Sequence, residues 1–134
     1  MNLTESQRAF LDRPLHAVLA TYRTDGTAVQ SVVWYRREDD TVWISTAPTS
    51  LKVRHLRRDP RLSLLVMSAD GAAYLALDGT ATITEDVDPP TRLRLLEPYL
   101  GVDGARAYVA RNPLSGPNAR IRLAISRATS HSLG

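Results

Sequence analysis

The segment TSLKVRHLRRDPR, residues 49–61, gathers the groups in this chain that could bind an anion. It holds five of the seventeen basic residues and the only lysine, Lys52. The hydroxyls of Thr46, Thr49 and Ser50 lie at or just before the start of a predicted helix, whose first turn contains Lys52. A helix N-terminus presents free backbone N–H groups and the positive end of the helix dipole. The pattern is consistent with a phosphate cradle, and an ordinary capped surface helix with solvated arginines is the alternative from the residues alone.

Other chemistry finds little support in the sequence. The three histidines, His16, His55 and His131, are scattered without metal-ligand spacing, and there is no cysteine. Ser115 precedes a glycine but lacks the G-x-S-x-G elbow of a serine nucleophile. Neither a Walker loop nor a G-x-G-x-x-G fingerprint is present. The sequence therefore predicts no metal site and assigns no catalytic residue.

The charge balance is a weak guide to partners. The net charge is +3 and the pI about 9.7, but fourteen acidic residues make this an ordinary mixture. Binding of nucleic acid would require Arg54, Arg57, Arg58 and Arg61 to face one backbone, and no aromatic platform interleaves with them. Binding of nucleic acid is an alternative function for this chain. With no signal-peptide pattern and no apolar run of membrane-spanning length, we expect a cytoplasmic protein with neither a nucleic-acid nor a membrane partner.

Six strands and a few helices are predicted to position these residues. A capping box from Thr4 to Gln7 predicts a helix over Glu5–Leu11, and Gly79 indicates a bulge or bend in a long strand. The last residues, 128–134, are expected to fray unless a partner holds them. Strands are predicted over residues 16–22, 28–35, 41–46, 61–67, 73–84 and 120–126, and further helices over 50–58, 88–99 and 103–111.

Hairpin-connected strands with local helices predict a mostly β (α+β) fold. The 134 residues suit a single domain, residues 1–134, with a core of its own. Such a pattern favours a small antiparallel barrel over a parallel sheet.

Three segments together resemble a known family. HAVLATYRTDGTAVQSVVWY, VWISTAPTSLKVRHLRRDPRLSLLV and AAYLALDGTATI are similar to the pyridoxamine 5′-phosphate oxidase-like split β-barrels, especially their flavin/deazaflavin oxidoreductase branch. The resemblance covers roughly residues 10–126 and is most specific around LKVRHLRRDPR. His55 replaces the asparagine typical of that branch, and Ser50 stands where some members have an arginine.

The resemblance implies a homodimer of six-stranded antiparallel split β-barrels with flanking helices. Coenzyme F-420 (8-hydroxy-5-deazaflavin), or else FMN, would lie between the subunits. The implied activity is that of an oxidoreductase, moving a hydride to or from a small unsaturated organic substrate. A non-catalytic cofactor carrier or sensor, with Trp34 as a lid, is the alternative.

The same resemblance assigns the cofactor-binding residues. Lys52 would bind the phosphate, the second strand would line the ring, and Tyr74 would approach from the neighbouring subunit. Arg57 or Arg61 would bind the acidic tail of F-420, which FMN lacks. Tyr35, Tyr74 or solvent could donate a proton. The full predicted set is Ser31, Val32, Val33, Trp34, Thr46, Ser50, Lys52, Arg54 and Tyr74.

Overall fold

The protein folds around one antiparallel sheet. The computed structural model describes residues 1–133, which form seven strands and three helices. In chain order these are α1 Glu5–Leu11, β1 His16–Tyr22, β2 Ala28–Val33, β3 Arg36–Glu38, β4 Thr41–Thr46, α2 Leu51–Arg58, β5 Arg61–Met67, β6 Tyr74–Val87, α3 Pro89–Arg111 and β7 Asn118–His131.

The sheet has the strand order β2-β1-β5-β6-β7-β4-β3, and every neighbouring pair is antiparallel. Over residues 1–133 its two edge strands, β2 and β3, do not pair with each other, so the sheet is not closed into a barrel. The mostly β, α+β class is therefore confirmed, whereas the count of six strands is wrong by one.

The additional strand is β3, a run of three charged residues that pairs with the first half of β4. Its residues show no alternation of apolar and polar types, so the sequence predicts no strand there. β2 also ends two residues earlier than predicted, at Val33. Trp34 and Tyr35 therefore lie in the link between β2 and β3, outside both strands.

β6 and β7 are the longest strands, with 14 residues each. Pairing continues to the end of β7, where Ala128 lies opposite Leu77 and His131 opposite Tyr74. The expectation that this segment frays was wrong as far as residue 131, because β6 supplies partners for its backbone N–H and C=O groups.

Gly79 lies at a register shift between β6 and β7, which confirms the predicted bulge. A Cβ atom at this position would approach the carbonyl oxygen of Ala124 to 2.0 Å. Only glycine therefore allows the two backbones to come this close.

Side-chain caps begin the first two helices. In α1 the Thr4 hydroxyl accepts from the Gln7 amide at 3.1 Å, and the Gln7 side chain accepts from the Thr4 amide at 2.9 Å, which confirms the capping box. In α2 the Ser50 hydroxyl accepts from the Val53 amide at 3.4 Å. This helix ends before Asp59, where the following proline disfavours helical geometry.

Asp88 caps the N-terminus of α3, and its carboxylate accepts from the Thr91 amide at 2.9 Å. Pro89 and Pro90 occupy the first two helical positions, where a missing N–H costs least. The helix is kinked at Gly101, which has a φ of 73°. The two helices predicted on either side of this glycine are therefore both present, and they form the two arms of α3.

The main core is formed by the inner sides of the strands together with residues of α1 and α2. Leu64, Val66, Leu75 and Leu77 in β5 and β6 are fully buried at its centre. A second, smaller cluster joins Trp43, Val87 and Leu95, and it packs α3 against the sheet. None of the helices over residues 1–133 is long and apolar enough to cross a membrane.

Candidate functional site

A cleft of about 330 Å³ opens where the end of β2, the end of β4 and the first turn of α2 meet α3. This volume is at the small end of the roughly 300–1,000 Å³ of small-molecule sites. The cleft is lined by Val32, Val33, Trp34, Ile44, Ser45, Thr46, Ala47, Lys52, Arg92, Leu95, Leu96, Tyr108 and Asn118.

One wall of the cleft is apolar and rigid. Trp34 stacks on Tyr99 of α3 with 4.7 Å between ring centroids and 12° between ring planes. The Tyr99 hydroxyl donates to the carbonyl oxygen of Leu15 at 2.9 Å and accepts from the Tyr35 amide at 3.2 Å. Burial raises the pKa of Tyr99 to about 12, so the phenol keeps this proton at neutral pH. Trp34 is thereby fixed against α3.

A polar side faces this wall. It is made by Ser45 and Thr46 of β4, Lys52 of α2 and Asn118 of β7. The Asn118 amide donates to the Ser45 hydroxyl at 3.1 Å, which joins β4 and β7 at the rim. Among residues 1–133 no carboxylate forms an ion pair with Lys52. Its ammonium is therefore available to an anion entering the cleft.

The structure brings together five of the nine predicted cofactor-binding residues: Val32, Val33, Trp34, Thr46 and Lys52. Four do not line the cleft, namely Ser31, Ser50, Arg54 and Tyr74.

Local geometry explains these four positions. Ser31 pairs with Leu19, a core residue, so it lies on the core face of β2. The hydroxyl of Ser50 caps α2, and Arg54 is exposed one turn along that helix. Tyr74 starts β6, at the opposite end from the Val87 cluster, and stacks on His131 with 5.2 Å between centroids.

α3 supplies four lining residues that the sequence reasoning missed: Arg92, Leu95, Leu96 and Tyr108. The first three follow the i, i+3, i+4 spacing of one helix face. An arginine on an otherwise apolar face was the available signal. What the sequence could not show is that this face covers the ends of β2 and β4.

His55, which replaces the family's usual asparagine, lies outside the cleft lining. It is only 6% exposed, and its Nδ1 is 3.0 Å from the hydroxyl oxygen of Thr21. Burial lowers the pKa of His55, and the nearby guanidinium groups of Arg58, Arg23 and Arg54 lower it further. The ring is therefore a neutral polar group of the core, joining α2 to β1.

Most of the other basic residues around α2 have protein partners. Arg58 donates to the carbonyl oxygen of Tyr22. Arg61 forms an ion pair with Asp59 at 2.8 Å, and Arg57 approaches Glu85 at 4.0 Å. The arginines expected to bind the tail of F-420 are thus already engaged on the protein surface.

Tyr35, one of the expected proton donors, also lies outside this cleft. Its hydroxyl donates to the carbonyl oxygen of Arg13 at 2.9 Å, and burial raises its pKa. The Tyr35 proton is engaged with the backbone, so the residue cannot serve the cleft in this arrangement.

The fold, one antiparallel sheet of seven strands with the Lys52-bearing helix α2 between β4 and β5, is that of the pyridoxamine 5′-phosphate oxidase-like proteins. The family model described as pyridoxamine 5′-phosphate oxidase matches residues 3–132. The chain belongs to this family. Its members are often flavin-dependent oxidoreductases, and the fold binds flavins or deazaflavins.

Solved structures agree on the fold. The conserved hypothetical protein Rv2991 from Mycobacterium tuberculosis superposes with a TM-score of 0.76 at 26% identity, covering 98% of this chain and 86% of that one. A structure named F420 Reductase gives 0.75 at 23% identity, covering 95% and 98%. General Stress Protein 26 from Bacillus anthracis gives 0.71 at 18% identity, covering 98% and 95%.

Proposed function

We propose that this protein is an oxidoreductase that binds coenzyme F-420, or else FMN, in the cleft beside α2. It transfers a hydride between that cofactor and a small unsaturated organic substrate. The observation that carries the proposal is that Lys52, which has no carboxylate partner among residues 1–133, converges with the apolar wall from Val32 to Trp34 in one cleft.

The residues present fit a ring with a phosphate. Lys52 and Thr46 offer an ammonium and a hydroxyl to the phosphate, next to the N-terminus of α2. Val32 and the stacked Trp34 offer an apolar surface to a flat ring. When bound, the cofactor supplies the hydride chemistry, and the protein orients it and shapes the pocket.

Other lining residues exclude water from the cleft and hold its rim. Leu95 and Leu96, both nearly buried, exclude water from the side of the cleft next to α3. Ser45 and Asn118 hold the rim through their mutual hydrogen bond. No protein group is assigned as proton donor, so solvent remains the source of any proton.

A second copy of the chain is proposed to complete the site. Val32 is 69% exposed, and on the same side of the sheet it lies beside Val18, Leu65 and Ala76 in register. These residues form an apolar row across four strands, of the kind that marks an interaction surface. Because Val32 belongs to both the row and the cleft, a partner on this face would also cover the ring.

The dimer is tested by sedimentation of the wild type and of Val32→Asp. The wild type is expected to sediment as a dimer and the variant to shift toward monomer with its fold intact, since a charge would be buried in the interface. A monomeric wild type at micromolar concentration would contradict the shared site.

The cofactor assignment is tested by titration with F-420 and, separately, with FMN, following tryptophan fluorescence. Lys52→Met should weaken binding of the preferred ligand about tenfold to hundredfold, the range for a hydrogen bond to a charged group. Arg106→Ala, which removes an exposed charge elsewhere on the chain, is the matched control and should bind like the wild type. Equal cofactor affinities of the wild type and Lys52→Met, or no binding of either cofactor, would contradict the assignment.

One observation favours the carrier as a second candidate. α3 contributes four residues to the cleft, which leaves less room beside a bound ring. Reduced cofactor offered with quinone and enone acceptors separates the two functions. An enzyme oxidises the cofactor with a protein-dependent rate, whereas a carrier binds it without turnover.

A further inference from the structure

Arg92 occupies an unusual position for an arginine. It lies one turn into α3, on the same face as Leu95 and Leu96, and it lines the cleft. The residue is only 9% exposed, against 5% for Leu95 and 4% for Leu96. A permanently charged guanidinium is thus held at the cleft among apolar side chains.

Arg92 has few interactions with the part of the chain that the structure describes, and none of them is with a countercharge. Within residues 1–133 its one side-chain hydrogen bond goes from Nη1 to the carbonyl oxygen of Asn112. The guanidinium carbon also lies 5.4 Å from the centre of the Tyr108 ring. No carboxylate of the described chain forms an ion pair with it. A buried charge without a countercharge is costly, and a guanidinium has five N–H donors to satisfy.

Two other sheltered arginines of the described chain, Arg120 and Arg37, have carboxylate partners. The Arg120 side chain is 12% exposed, and it meets Asp86 at 3.1 Å and Glu38 at 3.8 Å. Arg37, with a side chain 20% exposed, meets Asp12 at 2.7 Å. Arg92 departs from this pattern, and the residues around the cleft that the structure describes include no acid that could neutralise it.

We infer that Arg92 binds the carboxylate of the substrate, and that the site accepts flat, unsaturated carboxylic acids in preference to their neutral analogues. The inference rests on the proposed function and specifies its substrate class. Arg92 and Lys52 place two positive charges in one cleft, and they differ in shape. The planar guanidinium fork matches a carboxylate, whereas the compact ammonium suits a phosphate as a point charge.

The competing role for Arg92 is purely structural. Its contacts with Asn112 and Tyr108 tie the first arm of α3 to the second across the Gly101 kink. An arginine with only this structural role would affect stability but would not distinguish a charged ligand from a neutral one of the same shape. The test therefore compares two isosteric probes.

The probes are 2-naphthoate and 2-naphthamide, which share one ring system and differ in charge. Their affinities are measured by calorimetry on the wild type, Arg92→Met, Arg92→Lys and Lys52→Met. The wild type is expected to prefer naphthoate by about tenfold to hundredfold, as for a hydrogen bond between charged groups. Arg92→Met should abolish this preference, Arg92→Lys should keep part of it, and Lys52→Met should retain it.

Equal wild-type affinity for the two probes would overturn the inference, even if Arg92→Met fails to fold. A preference that survives in Arg92→Met, or that disappears in Lys52→Met instead, would overturn it as well. The cofactor titrations are read separately. If neither cofactor binds but the Arg92-dependent preference holds, the proposed function fails and the carboxylate site remains.

Discussion

The two ends of α2 carry like charges in different surroundings. At the N-terminal turn, Lys52 lines the cleft and has no carboxylate partner among residues 1–133. At the C-terminal end, Arg58 donates to a β1 carbonyl and Arg61, just beyond, pairs with Asp59. Between them His55 is buried against Thr21. Ligand binding should therefore depend on the first end, and stability on the buried middle of the helix.

The largest expected effect is that of His55→Ala. This change removes a buried ring and leaves the Thr21 hydroxyl without its partner, so the free energy of unfolding should fall by about 3 kcal/mol. Denaturant unfolding measures it, while cofactor affinity at low temperature should stay at the wild-type level. Lys52→Met should show the reverse, with stability unchanged and cofactor affinity weakened. If either variant changes both properties strongly, the N-terminal turn and the buried middle of α2 are not independent.

A change of pH should alter the free energy of unfolding less than His55→Ala does. The pKa of His55 is lower in the folded protein than the ordinary value near 6.5, so on acidification the unfolded chain takes up this proton first. Stability should be complete above that value and should decrease as the pH falls through it, by at most about 1.4 kcal/mol per pH unit. Unfolding followed between pH 5 and 8 measures the slope.

His55→Asn should flatten that slope, because the substituted amide does not titrate in this range. His16→Gln, a change at an exposed ring, is the matched control and should leave the slope in place. An unchanged slope in His55→Asn would mean that another group is responsible for the acid sensitivity.

The smallest effect on stability is expected at the C-terminal end of α2. Arg61→Gln removes an ion pair whose arginine side chain is 70% exposed, so the thermal midpoint should not change measurably. The pKa of Asp59, held at about 2 chiefly by its hydrogen bonds from Arg61, should rise toward its ordinary value. Titration of the carboxylate by NMR measures this.

Arg61→Gln also sharpens the choice of cofactor. If Arg61 exchanges Asp59 for the acidic tail of F-420, the variant should bind F-420 more weakly and FMN as before. Equal affinities of variant and wild type for F-420 would show that the ion pair stays closed and that the tail is bound elsewhere.

Local patterns were sufficient for much of the fold. The capping box and the other local patterns correctly predicted α1, β1, β4, α2 and β5. They failed where long-range pairing decides the structure. β3 forms because β4 offers it a partner, and the end of β7 is ordered because β6 extends beside it. The residues of β3 and of the end of β7 do not themselves show that β4 and β6 will pair with them.

The same contrast between local patterns and long-range packing applies to the residues of the cleft. Lys52, Thr46 and the Val32–Trp34 wall come from segments with recognisable patterns, and the structure brings them together. Arg92 and Tyr108 could not be placed, because the sequence does not show where the arms of a bent helix pack. His55 was noticed as a departure from the family pattern, but its contact with Thr21 depends on how α2 crosses β1.

The pairing of β4 with β7 has a consequence for how the chain folds. Thr41 lies opposite Ala124 and Thr46 opposite Ala119, whereas β1–β2 and β5–β6 are pairs of consecutive strands. Closing so long a loop costs entropy before any contact compensates, and sheets of this kind fold in roughly milliseconds to seconds. The hairpins are expected to form early and the β4–β7 ladder late. Because that ladder brings Thr46 beside the start of β7, where Asn118 lies, we expect a nascent chain to acquire its binding site among the last steps of folding.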